Sequence, residues 1–442
     1  MSVAKRLIFC AFTMNTVSHI YHGLWRHPRT RQLDYTDLDT WTDLAKLLER
    51  GRFDAIFLAD VIGLYGDYRG GWDTYVREGL QIPSNDPSVL ISALAHVTEH
   101  LGLAFTSSIV QEHPFNFARR VSTLDHLSKG RIAWNIVTNA LANGSRNFGL
   151  DDLTEHDERY SWAQEYLEVA YKLWEGSWED DALLRDVKNG IHADPAKIHK
   201  INHSGKRYRV EGPHLPAPSP QRTPVLAQAG SSTSNRDFAA LHAEAQFIIA
   251  PHTAAARAQI QDVPARAVAY GRKAENVGSA GQRRASGGRQ KHPAGGNCGG
   301  SEQPERDSRR CCLTSRQDHA HRWDARANRR SPAGVGGCGN DGVKLMYSTT
   351  PGTFVDFIEQ VAPELQRRGL MQREYRPGGL RDKLFGAGPF LPERHVGRSY
   401  RNWDKARVKQ SPRARKERDR LSMVGAAFAA CSRHDGSPHF YA

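Results

Sequence analysis

Seven short runs of apolar and β-branched residues punctuate this chain: Leu7–Phe12, Ala55–Asp60, Leu101–Ser108, Ile132–Thr138, Pro224–Gly230, Phe247–Ala250 and Val343–Thr349. They do not alternate between apolar and polar, so each needs cover on both faces, as strands of a buried parallel sheet do. Amphipathic helices separate them. Trp41, Leu44, Leu47 and Leu48 form one apolar face, stopped by Gly51. Asp86 is placed to cap a second helix with Pro87 at its first position and Val89, Leu90, Ala93, Leu94 and Val97 along one side. Trp162, Tyr166, Leu167, Ala170 and Trp174 make a third face, and Phe354, Phe357, Ile358, Val361 and Leu365 a fourth. Repeated strand–helix units predict an α/β fold, either a (β/α)8 barrel or a doubly wound open sheet. The unit count favours the TIM barrel, as do polar residues at strand C-terminal ends, which a barrel gathers at one mouth: Asp60, Thr106, Ser108, Asn135, Thr138 and the Ser231-Ser232 pair.

Composition removes other classes. With 39% hydrophobic and 25% charged residues the chain has apolar material for a large core, which excludes wholesale disorder, collagen and a membrane bundle. No uncharged apolar run reaches the ~18 residues of a membrane span, and the first thirty residues lack a signal peptide's apolar core, so a cytoplasmic location is expected. The net charge of +13 suggests a nucleic-acid partner until it is located. Residues 279–342 carry +6 and residues 401–442 another +6, leaving +1 for the rest. Four of the six cysteines, Cys298, Cys311, Cys312 and Cys338, fall in the first stretch without the paired spacing of a zinc site, so no metal centre is expected.

The pattern predicts one barrel domain over residues 1–400 and a disordered basic tail over 401–442. Segment 177–222, rich in Pro and Gly, reads as an insertion lying over the barrel mouth with a hairpin through Lys206–Val210. Segment 279–342 breaks the rhythm. Its only Val, Ile, Leu, Met, Phe or Trp residues are Leu313, Trp323 and Val335, so it is expected to be irregular and unable to supply the seventh strand. Two readings stay open for it: a frameshifted or corrupted stretch of GC-rich coding sequence, or a genuine disordered insertion.

Pro224–Ala240 carries the clearest chemistry. An apolar strand ends in Gly230, Ser231 and Ser232 follow, and a helix begins with Arg236 in its first turns. Free N–H groups and the positive dipole end of that helix, with the two hydroxyls and Arg236, suit a phosphate; an ordinary N-cap explains the same residues equally well. This stretch joins His19–Arg26, Arg52–Asp60, Asn85–Pro87, Ala118–Thr138, His156–Tyr160, Leu173–Asp181 and Arg367–Leu370. With them the chain resembles the flavin-dependent, luciferase-like monooxygenases of the group that contains nitrilotriacetate monooxygenase component A, dibenzothiophene-sulfone monooxygenase and long-chain alkane monooxygenase. The resemblance covers residues 5–275 and resumes over 343–385.

That resemblance implies reduced FMN as cofactor and O2 as co-substrate, reacting through a flavin peroxide that oxygenates a small aminopolycarboxylate, organosulfur or alkane-like substrate. It also implies a separate NAD(P)H:flavin reductase and a homo-oligomer. Cofactor contacts are expected from Asp60, Thr106, Ser108, Asn135, Thr138, His156, Tyr160, Ser231, Ser232 and Arg236. His156 and Tyr160 lie four apart, hence on one helical face. Asn135 is an unusual choice for a buried strand and is a candidate catalytic residue. His19 is a second, as a proton donor, although a structural histidine fits the position as well. Asn139 and Asn235 depart from the small residue and the Gly usual in the family. The alternatives are a deazaflavin-dependent oxidoreductase on the same fold and an inactive basic product that associates with nucleic acid.

Overall fold

The computed structural model describes residues 6–21, 23–66, 71–230, 232–248, 253–284, 341–401 and 403. The first four strands are β1 (Ile8–Met14), β2 (Ala55–Ala59), β3 (Gly102–Ser108) and β4 (Ile132–Val137). Helices α1 (Leu38–Arg50), α2 (Asp73–Glu78), α3 (Leu90–Val97), α4 (Pro114–Leu127), α5 (Ala142–Arg146) and α6 (His156–Gly176) accompany them. Residues 177–222 hold two small hairpins, β5 (Leu183–Asp186) with β6 (Ile191–Ala193) and β7 (His203–Ser204) with β8 (Arg209–Val210). Then follow β9 (Val225–Ala229), α7 (Thr233–His242), β10 (Ala245–Ile248), α8 (Thr253–Ala269), β11 (Gly278–Arg284) and β12 (Gly342–Met346). The fourth apolar helical face divides at Val361 into helices Gly352–Gln360 and Ala362–Arg367, with Pro363 in the first turn of the second.

Eight parallel strands close into a barrel in the order β1-β12-β11-β10-β9-β4-β3-β2. Successive side chains point to opposite faces, so each strand feeds two layers. Cys10, Phe12, Ala55, Phe57, Ala104, Ala133, Val225, Ala227, Phe247 and Met346 pack inside the barrel. Phe9, Ile56, Leu58, Leu103, Phe105, Trp134, Ile136, Leu226 and Leu345 face outward against Leu44, Leu48, Leu94, Phe117, Leu167 and Phe354 of the helices. The strand N-terminal end is plugged by helix Leu380–Phe385. Leu380 reaches so close beneath β3 that a Cβ on Gly102 would lie 2.5 Å from its Cδ1. Arg381 donates to both carboxylate oxygens of Glu244, at 2.7 and 2.9 Å, and to the carbonyls of Thr223 and Pro224 at 3.0 Å. A buried guanidinium so fully bonded fixes the plug to the start of β9.

Two expectations need correction. The seventh strand exists: β11 runs from Gly278 to Arg284 and pairs in parallel with β10 (Ile248 opposite Gly281) and β12 (Gly281 opposite Val343), so the barrel closes. A ladder is made by backbone N–H and C=O groups, which every residue except Pro supplies, and apolar composition does not measure that capacity. The remainder of the anomalous segment, 285–340, and the tail beyond Trp403 lie outside the described residues.

The second correction concerns 177–222, which lies beside the mouth and not over it. Its β7–β8 turn reaches the mouth-side ends of α4 and α6, where Tyr208 meets His113 and Arg207 pairs with Glu158, and none of its residues lines the mouth cavity. It leaves the C-terminal end of α6, at the opposite rim, and packs along the outer flank of α4 and α6. Trp178 donates to the His214 carbonyl at 2.8 Å, His214 meets Ser122 of α4 at 2.9 Å, and Gln221 donates to Asp125 at 2.7 Å. The β7–β8 turn is held from α6 by the Glu165 carboxylate, which accepts the backbone N–H groups of Arg207 and Tyr208. Its buried groups are satisfied by those helices, and that fixes its place.

Candidate active site at the barrel mouth

The C-terminal ends of β2, β3, β4 and β9, with the first turn of α6, enclose a cavity of about 360 Å³. That is within the range of small-molecule sites, about 300–1,000 Å³. Six of the residues expected to bind cofactor line it: Asp60, Thr106, Ser108, Thr138, His156 and Tyr160. Asn135 stands behind the wall, donating through Nδ2 to Thr106 Oγ1 at 3.1 Å, with its Oδ1 buried and unpartnered.

Asp60 follows β2 directly and is half-buried. Burial pushes its carboxyl up to about 6, against the pull of the Val61 N–H and the Gln111 amide, while the Asp86 carboxylate adds to the rise. A carboxyl poised there changes charge under mild acid.

The far wall is the first turn of α6, and the N-terminus of α7 packs behind it. Ser232 caps α7, its Oγ accepting the Asn235 N–H at 3.3 Å and meeting His156 Nε2 at 3.2 Å. Tyr160 OH accepts from Asn235 Nδ2 at 3.0 Å, and the same amide donates to the Ala229 carbonyl at 2.9 Å. His156 and Tyr160 do share a helical face, with ring centres 5.2 Å apart. Asn235 explains its own departure from the family pattern. It lies against Gly230, whose φ is +136°, and a Cβ on that glycine would come within 2.6 Å of the Asn235 amide. Ser231 lies outside the described residues.

Four expected residues do not line the cavity: Asn135 and Ser232, which stand directly behind the lining residues Thr106 and His156, and Arg236 and His19. Arg236 turns along α7 to Asp262 of α8 at 2.9 Å. His19 is buried against Phe12, ring centres 4.6 Å apart. Burial, reinforced by the Lys344 charge, pushes its imidazole down to about 3, so it is neutral at physiological pH and its Nδ1 has no partner.

Other polar lining residues include Gln111, Arg159 and Gln228, which the sequence reading did not single out, and Asn139, noted there only as a departure from the family pattern. Gln228 was legible by the reasoning applied to Asn135, an amide in a buried strand; its Oε1 is buried without a partner. Asn139 sits at φ +64°, and its side chain closes onto the N–H groups of Ala140 and Leu141. Arg159 donates to the Asn139 carbonyl and keeps a buried Nε unpartnered. Orphaned donors and acceptors around one cavity are what a polar ligand would satisfy.

A closed parallel eight-stranded barrel with its lined cavity at the strand C-terminal ends defines a (β/α)8 enzyme. A family model described as luciferase-like monooxygenase matches residues 16–289, and the chain belongs to that family. It is 46% identical over 437 residues to the long-chain alkane monooxygenase of Geobacillus thermodenitrificans (strain NG80-2), covering 90% of this chain and 99% of that one. It is 41% identical to the dimethyl-sulfide monooxygenase of Hyphomicrobium sulfonivorans, covering 90% and 94%. A crystal structure of a long-chain alkane monooxygenase superposes with a TM-score of 0.80 at 45% identity, covering 90% and 100%. A riboflavin lyase solved with modified FMN superposes with 0.77 at 32% identity, again covering 90% and 100%. The protein is thus an oxidoreductase of the monooxygenase class. Among the described residues, no group of His, Cys, Asp and Glu is arranged to hold a metal ion, and no helix is long and apolar enough to cross a membrane.

Proposed function

We propose that this protein is the oxygenase of a two-component system that takes reduced FMN from a separate NAD(P)H:flavin reductase and uses O2 to oxygenate a small organic substrate. The observation that carries the reading is one cavity lined by polar strand-end residues, by the unpartnered Gln228 Oε1 and Arg159 Nε, and by His156 and Tyr160, behind which the capped N-terminus of α7 stands. The lining suits the polar edge of a flavin ring: Gln228 Oε1 accepts and Arg159 Nε donates. Ser232, His156 and the α7 N-terminus suit a terminal phosphate.

When bound, reduced flavin supplies the activation of O2. The chain's own residues bind it and fix its orientation. The names of the relatives support an alkane-like or organosulfur substrate, with aminopolycarboxylates as the remaining class of the group.

Anaerobic titration tests the reading. Reduced FMN is expected to bind more tightly than oxidised FMN or FAD, and substrate oxidation to require an added reductase or chemically reduced FMN. Preference for FAD, or sustained NADH oxidation by the purified chain alone, overturns it.

A further inference from the structure

We infer that Gln111 is a positioning residue, which orients Asp60 and favours its ionised form for the ligand that occupies the cavity. Gln111 lies three residues beyond β3, and its amide orientation is decided by its neighbours. Oε1 accepts from Ser107 Oγ at 3.1 Å and from the Ser108 backbone N–H. Two donors on one oxygen leave Nε2 as the outward donor, and it points to Asp60 Oδ2 at 3.4 Å. The relay has a rigid base. The Ser107 carbonyl accepts from the indole N–H of Trp134 at 3.0 Å, and Trp134 is fully buried in the outer layer.

An amide cannot titrate, so this donor favours the ionised form of Asp60 at every pH. Among the described residues, the Val61 N–H also favours the ionised carboxyl. Asp86, itself 3.9 Å from Arg120, opposes ionisation, and Tyr65, His156, Arg159 and Tyr160 face it across the cavity. With Oδ2 engaged by Gln111 and the Val61 N–H also bonded to the carboxyl, the direction in which Asp60 faces a ligand is set.

The inference deepens the flavin reading and rests on it for the identity of the ligand, but its core is measurable without flavin. Infrared difference titration of the ligand-free protein, with the carboxyl band assigned by Asp60→Asn, reads Asp60 directly. Gln111→Met keeps the side-chain length and removes the donor; it is expected to move the Asp60 titration upward by about one pH unit, as loss of a weak hydrogen bond to a charged group should. Gln111→Glu is expected to move it further, because two carboxyls then share the site. The pH dependence of reduced FMN affinity should shift by the same amount. An unmoved Asp60 titration in both variants, with native circular dichroism, overturns the inference. A titration that moves while reduced FMN affinity ignores both Gln111→Met and Asp60→Asn overturns the flavin assignment of the site instead.

Discussion

Ser232 Oγ and His156 Nε2 stand 3.2 Å apart, so the N-cap of α7 meets the first turn of α6 directly behind a residue of the cavity wall. Ser232 has two separable tasks there, ending a helix and offering a hydroxyl beside the site.

Ser232→Ala should therefore lose about 1 kcal/mol of stability, the usual cost of a missing cap, and roughly tenfold in reduced FMN affinity. Ser232→Asp keeps a capping oxygen and adds a negative charge where a phosphate is proposed. It should melt like the parent yet bind reduced FMN far more weakly. Thermal melts alongside anaerobic titrations separate the two, and unchanged affinity in Ser232→Asp would place the phosphate elsewhere.

Asp60 should leave a signature in the acid range. Its folded carboxyl is raised from 3.8 to about 6, so between those values the folded state keeps a proton that the unfolded chain has released. Stability from this group is then greatest below pH ~4 and falls as pH rises toward ~6, with a slope of at most about 1.4 kcal/mol per pH unit. Asp60→Asn should remove that slope and raise the melting temperature at pH 7. Melting curves from pH 4 to 8 check it.

Lys344 lies inside the barrel with its ammonium 3.6 Å from the centre of the Phe247 ring, 3.8 Å from that of Phe57 and 3.9 Å from that of Phe12. Burial pushes it from 10.5 down to about 7. The unfolded chain binds the extra proton between those values, so stability should rise with pH from about 7 to about 10. Ring faces offset only part of the desolvation cost. Lys344→Met should melt higher at pH 7 and lose the alkaline rise; a lower melting temperature would mean that the rings stabilise the charge more than water does.

His19 should be silent as a proton donor. With its imidazole pushed down to about 3, no activity limb between pH 5 and 8 should belong to it. Stability should instead fall below pH ~6.5, as the unfolded chain takes up a proton the folded one refuses. His19→Phe should flatten that acid limb and leave the position of the pH–rate profile unchanged. A rate profile whose neutral limb disappears in the variant would return His19 to the chemistry.

What the sequence determined by itself was the set of parts whose causes are local. Leu7–Phe12 and Ile132–Thr138 show apolar residues on both faces, so they read as buried parallel strands, and Trp41 to Leu48 ending at Gly51 reads as a helix with its stop. Polar residues at strand ends, joined to the family resemblance, brought Asp60, Thr106, Ser108, Thr138, His156 and Tyr160 to one site, and they share one cavity wall. Tertiary structure decided the rest. His19 is neutral because Phe12 and Lys344 are beside it, and Arg236 is committed to Asp262, a partner 26 positions away. Gln111 acts on Asp60 across 51 positions, a relation no spacing rule encodes. Gly278–Arg284 becomes a barrel strand because β10 and β12 each offer it an unpaired ladder. Hydrophobic periodicity is written residue by residue, whereas burial, charge state and hydrogen-bond partners arise only when distant segments meet.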